Sequence, residues 1–381
     1  MSKKIVRLMG ALMLALTFVL IINVAAWAKD PAQLDYADIA LRVPKENKQL
    51  DILQRTLPVL QKGYDDMVQA GKEIESMTNS LRDLNAAYSS LADIPGLTDL
   101  DKGVIKVMQG SLLYNQMALG SINLDSINSQ IAQVRIQIPQ TQAALINGGQ
   151  QLFVGYHQLQ DNIRKTRDSR KLLEEKLNLA KVQLSAGLGT ALAVTEAELA
   201  LAELDTGVAQ MESQGVVMLG QLKIIVGWPQ GQIIKLGAIP KPDRNFFGKI
   251  VLADDIKSAQ VNSYSLKIKE QEHKYTSNDE QKRLIKLNID ALTEQIALTV
   301  TTQYQKIADQ NSTLLLEEQR LTVAEEKIRQ TRLQHQVGLL SALALKAEEN
   351  SYKTRQEAVQ TAVDALFWEI ENYKAIVAGL N

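Results

Sequence analysis

Three histidines, His157, His273 and His335, are the side chains best suited to bind a metal or move a proton near neutral pH. They lie far apart in sequence and none belongs to an H-E-x-x-H or comparable ligand spacing. They are therefore expected to be solvated or interfacial helix residues with no metal role. Paired carboxylates can share acid and base work, and Glu174-Glu175, Glu317-Glu318 and Glu325-Glu326 are such pairs. Each has Lys or Arg within helical reach, as Glu326 has Arg329, which is the pattern of a solvated helix face. Gly187-Leu188-Gly189 precedes no Lys-Ser/Thr signature, so it makes no nucleotide loop, and there is no G-x-S-x-G nucleophile elbow. The chain has no Cys, which excludes disulfides, thiolate metal sites, iron–sulfur clusters and cysteine nucleophiles. No enzyme activity and no cofactor is expected.

What the sequence holds in place of catalytic groups is an internal repeat. A shift of 151 residues lays Lys176-Leu177 on Lys327-Ile328, Gln183 on Gln334 and Gly187-Leu188 on Gly338-Leu339. The register continues through Thr190-Ala191-Leu192-Ala193 on Ser341-Ala342-Leu343-Ala344, Glu198 on Glu349 and Val208 on Val359. Gly227 then meets Gly379 after one inserted residue. In each copy a glycine ends one helix, a Thr or Ser three residues on caps the next, and a second glycine closes it. The pattern predicts a helical hairpin made twice. From Val194 the apolar or small positions step through Ala197, Leu201, Leu204, Val208, Met211, Gly215, Met218, Leu222 and Ile225, the spacing of a heptad seam.

Prolines punctuate the rest. Pro31, Pro44 and Pro58 crowd the start, Pro95-Gly96 marks a turn, and Pro139, Pro229, Pro240 and Pro242 follow. Long helices are expected in the proline-free stretches 140–228 and 243–381. Residues 271–306 read as continuous polar helix, and 131–138 (IAQVRIQI) hint at strand alternation. Residues 228–249 read as a surface linker carrying one short strand within Ile233 to Leu236. The 381 residues are 45% apolar, so the chain folds, and a net charge of −1 gives no basic excess for nucleic acid.

Lys3, Lys4 and Arg7 precede an apolar run over 8–24, and Ala26-Trp27-Ala28 offers small residues for signal peptidase. Residues 1–28 thus read as a secretory signal, with an uncleaved anchor as the alternative. No later apolar run reaches spanning length.

The duplicated motif resembles the TolC-like family of outer-membrane efflux proteins. Gly187, Thr190, Leu192, Val194, Ala197 and Glu198 match its turn in the first copy, and Gly338, Ser341, Leu343, Leu345 and Glu349 in the second. The span from 250 to 269, with Ala259, Asn262 and Leu266, resembles the start of the family's second repeat, and 34–50 carries a weaker echo. The family's Asp in the motif is replaced by Ala193 and Ala344. The resemblance implies an all-α body of elongated coiled-coil hairpins in two pseudo-repeats, 29–227 and 250–381, joined by the 228–249 linker. It also implies a homotrimer whose tip turns, Gly187, Leu188, Thr190, Gly338, Leu339 and Ser341, contact a periplasmic adaptor (membrane fusion) protein that works with an inner-membrane transporter. The family's transmembrane strands would show as alternating segments of about ten residues with aromatic girdles, and no such segments are evident. The function implied is an exported efflux component of the cell envelope. The alternative is a structural coiled-coil envelope protein without transport activity.

Overall fold

The computed structural model describes residues 32–91, 107, 110–115, 117–118 and 124–381. The segment read as an export signal and the Pro95-Gly96 turn lie outside them. β1 (Ala32–Leu34) leads into α1 (Tyr36–Glu46) and α2 (Lys48–Leu91). α3 (Leu124–Ser185) and α4 (Ala191–Ile225) form the first hairpin. After β2 (Ile234–Leu236) and a 3₁₀ turn at Phe247–Lys249 come α5 (Leu252–Asn262), α6 (Tyr264–Tyr275), α7 (Asp279–Gln336) and α8 (Ala342–Val377), the last two making the second hairpin. The fold is all-α and elongated. The 62 residues of α3 extend about 93 Å at 1.5 Å per residue.

Two helices start earlier than the prolines predict. Pro58 lies inside α2 and Pro139 inside α3, which begins at Leu124 and not near residue 140. An interior proline costs about 3 kcal/mol. Burial of Ile131, Phe153, Val154 and Ile163 against the neighbouring helices offsets that cost in α3, since tertiary packing supplies most helical stability in proteins. Residues 131–138 are helical and carry no strand. The stretch 271–306 is not continuous either. α6 stops at Tyr275, and Asn278 starts α7 by accepting the Gln281 N–H at 3.0 Å. The linker strand is present: β2 pairs in parallel with β1, from Ala32 opposite Ile234 to Leu34 opposite Leu236.

All ten α4 seam positions turn away from solvent, with Gly215 and Leu222 fully buried. The main cores sit at the roots of the two hairpins. One holds Ile39, Val43, Leu50, Phe153, Leu222 and Val226. The other holds Ala259, Leu266, Ile296, Val300, Tyr373 and Ile376.

The two roots are built alike. Gly227 closes α4 at φ 74° and Gly379 follows α8 at φ 109°, the left-handed region in which a Cβ is strained. Each glycine rests on the end of a short helix: a Cβ on Gly227 would lie 2.0 Å from the Glu46 carbonyl oxygen, and one on Gly379 would lie 2.3 Å from that of Asn262. An asparagine ties each junction. The Asn47 side-chain amide donates to the Ile225 carbonyl at 2.8 Å, while its Oδ1 accepts the Leu50 N–H at 2.9 Å. The Asn262 amide donates to the Val377 carbonyl at 3.1 Å, and the capping task passes to Ser263, which accepts the Leu266 N–H at 3.2 Å.

The pseudo-repeats differ on the side away from the tips. α2 runs 44 residues and packs on the first part of α3, where Asn128 donates to the Tyr64 hydroxyl at 3.2 Å. Its counterpart α6 has 12 residues before the turn into α7.

Candidate functional site

The helix ends at the two tips follow from sequence. At the first, Gly187 adopts φ 74°; its N–H donates to the Leu184 carbonyl at 3.0 Å and the Leu188 N–H to that of Gln183 at 2.8 Å. At the second, Gly338 adopts φ 77°; its N–H donates to the His335 carbonyl at 3.0 Å and the Leu339 N–H to that of Gln334 at 2.9 Å. Both are Schellman closures, which satisfy carbonyls that the helix end would leave open. Thr190 then accepts the Ala193 N–H and Ser341 the Ala344 N–H, each at 3.2 Å. Replacing either cap by alanine is expected to cost about 1 kcal/mol, read as a loss of urea stability without a change in helix content at low denaturant. A cost near zero for both would mean that these bonds do not hold the turns.

This backbone scheme leaves a large apolar side chain at each apex, and Val337 beside it at the second. Leu188 is 82% exposed and Leu339 is 78% exposed. The structure therefore brings Gly187, Leu188 and Thr190 together in one turn and Gly338, Leu339 and Ser341 in the other. The tips are not identical: His335 places Nδ1 2.8 Å from the Leu340 carbonyl, while Leu184 holds the matching position in the first tip.

Toward the tips the four long helices lie side by side. α4 packs on α3, α3 on α8 and α8 on α7, so α4 and α7 are the outer members. Sequence reasoning did not find what these edges carry. On α4, Leu192, Leu199, Val217 and Ile224 are exposed. At 3.6 residues per turn they fall within about 40° of one another, on the face opposite α3. On α7, Leu298, Leu316 and Val323 are exposed within about 20° of one another on the face opposite α8, with Leu315 and Leu333 exposed about 100° away. The signal was present as a second apolar periodicity, masked by the stronger seam inside each hairpin.

The groups considered for chemistry are dispersed. His157 lies in α3, His273 in the last turn of α6 and His335 at a tip. Glu326 pairs with Arg329 at 2.7 Å, and that hydrogen bond, with a second from Gln330, holds its carboxyl below the usual range. Among the described residues, no three His, Asp or Glu side chains are grouped to hold a metal ion, and no helix is long and apolar enough to cross a membrane.

No protein-family model matches the sequence, and no curated protein matches it. Among solved structures, the chain is similar to the outer membrane protein VceC from Vibrio cholerae at 13% identity, covering 68% of this chain and 75% of that one with a TM-score of 0.46. It is similar to a membrane protein from Pseudomonas aeruginosa at 12% identity, covering 90% and 92% with a TM-score of 0.49. A third is the outer-membrane channel OprN, at 14% identity over 90% of each chain and a TM-score of 0.49. VceC is an outer membrane protein and OprN an outer-membrane channel.

Proposed function

We propose that this chain is an exported, TolC-like efflux component whose copies join edge to edge into a helical duct. The observation that carries this reading is the pair of apolar stripes on opposite edges of one four-helix layer. Two different edges that fit each other form a heterologous interface, which closes into a ring when the rotation between copies allows. α4 of one copy meets α7 of the next, and by the resemblance above three copies complete the ring. The exposed leucines at the tips are then the docking points for the hairpins of a periplasmic adaptor, which links the duct to an inner-membrane transporter. The duct acts by shape, and the transporter supplies the energy.

The absence of Cys makes the test clean. Leu199→Cys and Val323→Cys in one chain, treated with a short bis-maleimide, should give a cross-linked ladder ending at three copies. The companion variant Leu199→Asp with Val323→Asp should lower the solution mass to one copy at unchanged helicity. A monomeric parent protein with no ladder refutes the ring. One observation favours a purely structural envelope role: the only strands among the described residues are β1 and β2, of three residues each, far short of the 9 to 11 that span a bilayer. Normal resistance to toxic compounds in cells lacking the chain would support that role.

A further inference from the structure

The contact between the two hairpins is built unlike the contacts within them. Along α3, His157, Asp161, Arg164, Asp168, Lys171 and Glu175 recur at alternating steps of four and three, the same periodicity as an apolar seam but wholly polar. Along α8, Asp364, Gln360, Glu357, Lys353, Asn350 and Lys346 recur at the same steps in the opposite direction. Three rungs of this antiparallel ladder are ion pairs: Arg164 Nε to Glu357 at 3.1 Å, Lys353 to Asp168, and Lys346 to Glu175.

The rung nearest the hairpin roots is His157 opposite Asp364, and it differs from the others. Asp364 is only 5% exposed, and its Oδ1 accepts from Gln360 at 2.8 Å. His157 Nε2 is buried with no hydrogen-bond partner, and its ring lies 5.0 Å from Phe153. Burial pushes the Asp364 carboxyl above the usual carboxylate range, and the Asp161 charge adds to this, while the Gln360 bond and His157 oppose it.

The charged groups around the rung come from two helices. α3 supplies Asp161, which pairs with Arg164 at 2.9 Å, and Lys165, which donates to Thr361 at 3.3 Å. α8 supplies Glu357, and Glu371 farther along acts on the Tyr36 phenol that α1 brings to the same core. α4 presents Gly215 and Met218 to this part of α3, and α7 presents Gln303 and Gln310 to this part of α8.

We propose that the Asp364 carboxyl, buried opposite His157, is a proton-operated latch, in which uptake of one proton by the carboxyl tightens the seam between the hairpins. With the carboxyl ionised, the rung buries a negative charge near Asp161 that Gln360 alone hydrogen-bonds, and leaves the His157 Nε2 unpaired. Protonation of Asp364 removes that charge and supplies an O–H for the unpartnered Nε2 to accept once the seam draws in. The sign follows. A carboxyl whose pKa is raised in the closed seam favours that state at low pH, and the gain is lost as pH rises through the raised value. The raised Asp364 carboxyl places the switch above the ordinary carboxylate range, in mild acid.

The latch belongs to a single chain and stands whether or not copies form a ring. Nitroxide labels on Leu188→Cys and Leu339→Cys of the full chain, diluted with unlabelled chain, read the tip-to-tip distance. The distribution should be narrower at about pH 5 than at about pH 7.5, and Asp364→Asn should be equally narrow at both. Glu357→Gln, which alters another rung, should keep the response to pH. Asp364→Ser removes the same titration if Asp364→Asn does not fold. A wild-type distribution that ignores pH, or an Asp364 variant with the full wild-type response, overturns the proposal.

Discussion

Gly227→Ala is expected to destabilise the chain by about 3 kcal/mol or more, against about 1 kcal/mol for Gly187→Ala, although both glycines end a helix at φ 74°. The left-handed conformation penalises any Cβ at either site by about 1 to 2 kcal/mol. Space decides the rest. A Cβ at Gly187 meets nothing within 4 Å, whereas at Gly227 it would lie 2.0 Å from the Glu46 carbonyl oxygen and 2.5 Å from its carbon. That contact is backbone against backbone, so α4 must lift from the end of α1. The lift breaks the 2.8 Å bond from Asn47 to Ile225, worth about 1 kcal/mol. The pair Gly379→Ala and Gly338→Ala should repeat the contrast, with 2.3 Å to the Asn262 oxygen at the first and open space at the second. Urea unfolding followed by circular dichroism checks all four, and equal losses at root and tip would show that the junctions are not close-packed.

Leu188→Glu combined with Leu339→Glu is expected to abolish export while leaving helicity unchanged. Both side chains stand clear of the hairpins, so a charge there costs no core packing. An apolar anchor at the centre of an interface is worth about 2 kcal/mol or more, so losing two weakens docking by roughly a thousandfold. The variant should fail to restore resistance to toxic compounds in cells lacking the chain, and should lose co-purification with the adaptor. Full restoration would remove the tip-docking idea, without touching the α4 and α7 edges that the cross-linking experiment reads.

How much of this could be read from sequence depended on whether a residue type has one structural meaning or several. Gly187 with Thr190, and Gly338 with Ser341, were legible because few residues close one helix and cap the next. Pro58 and Pro139 misled because local cost was weighed without the packing that outbids it along α2 and α3. The break at 276–278 was hidden in a polar run, where Asn278 as a cap looks like any other polar helix residue. The ladder from His157 to Glu175 escaped notice for the same reason, since polar residues at heptad spacing resemble a solvated face until a second helix is seen against them. The roles of Asn47 and Asn262 needed the structure, because their partners lie 178 and 115 residues away.

The unequal lengths of α2 and α6 bear on the far end of any ring. α2 reaches about 66 Å from its root and α6 about 18 Å, so the described residues of each chain form one tall arm and one stub. In the ring of three chains proposed above, the described residues would stand there as three tall arms set apart from one another. Among the described residues, a wall of four helices per chain runs only between hairpin roots and tips.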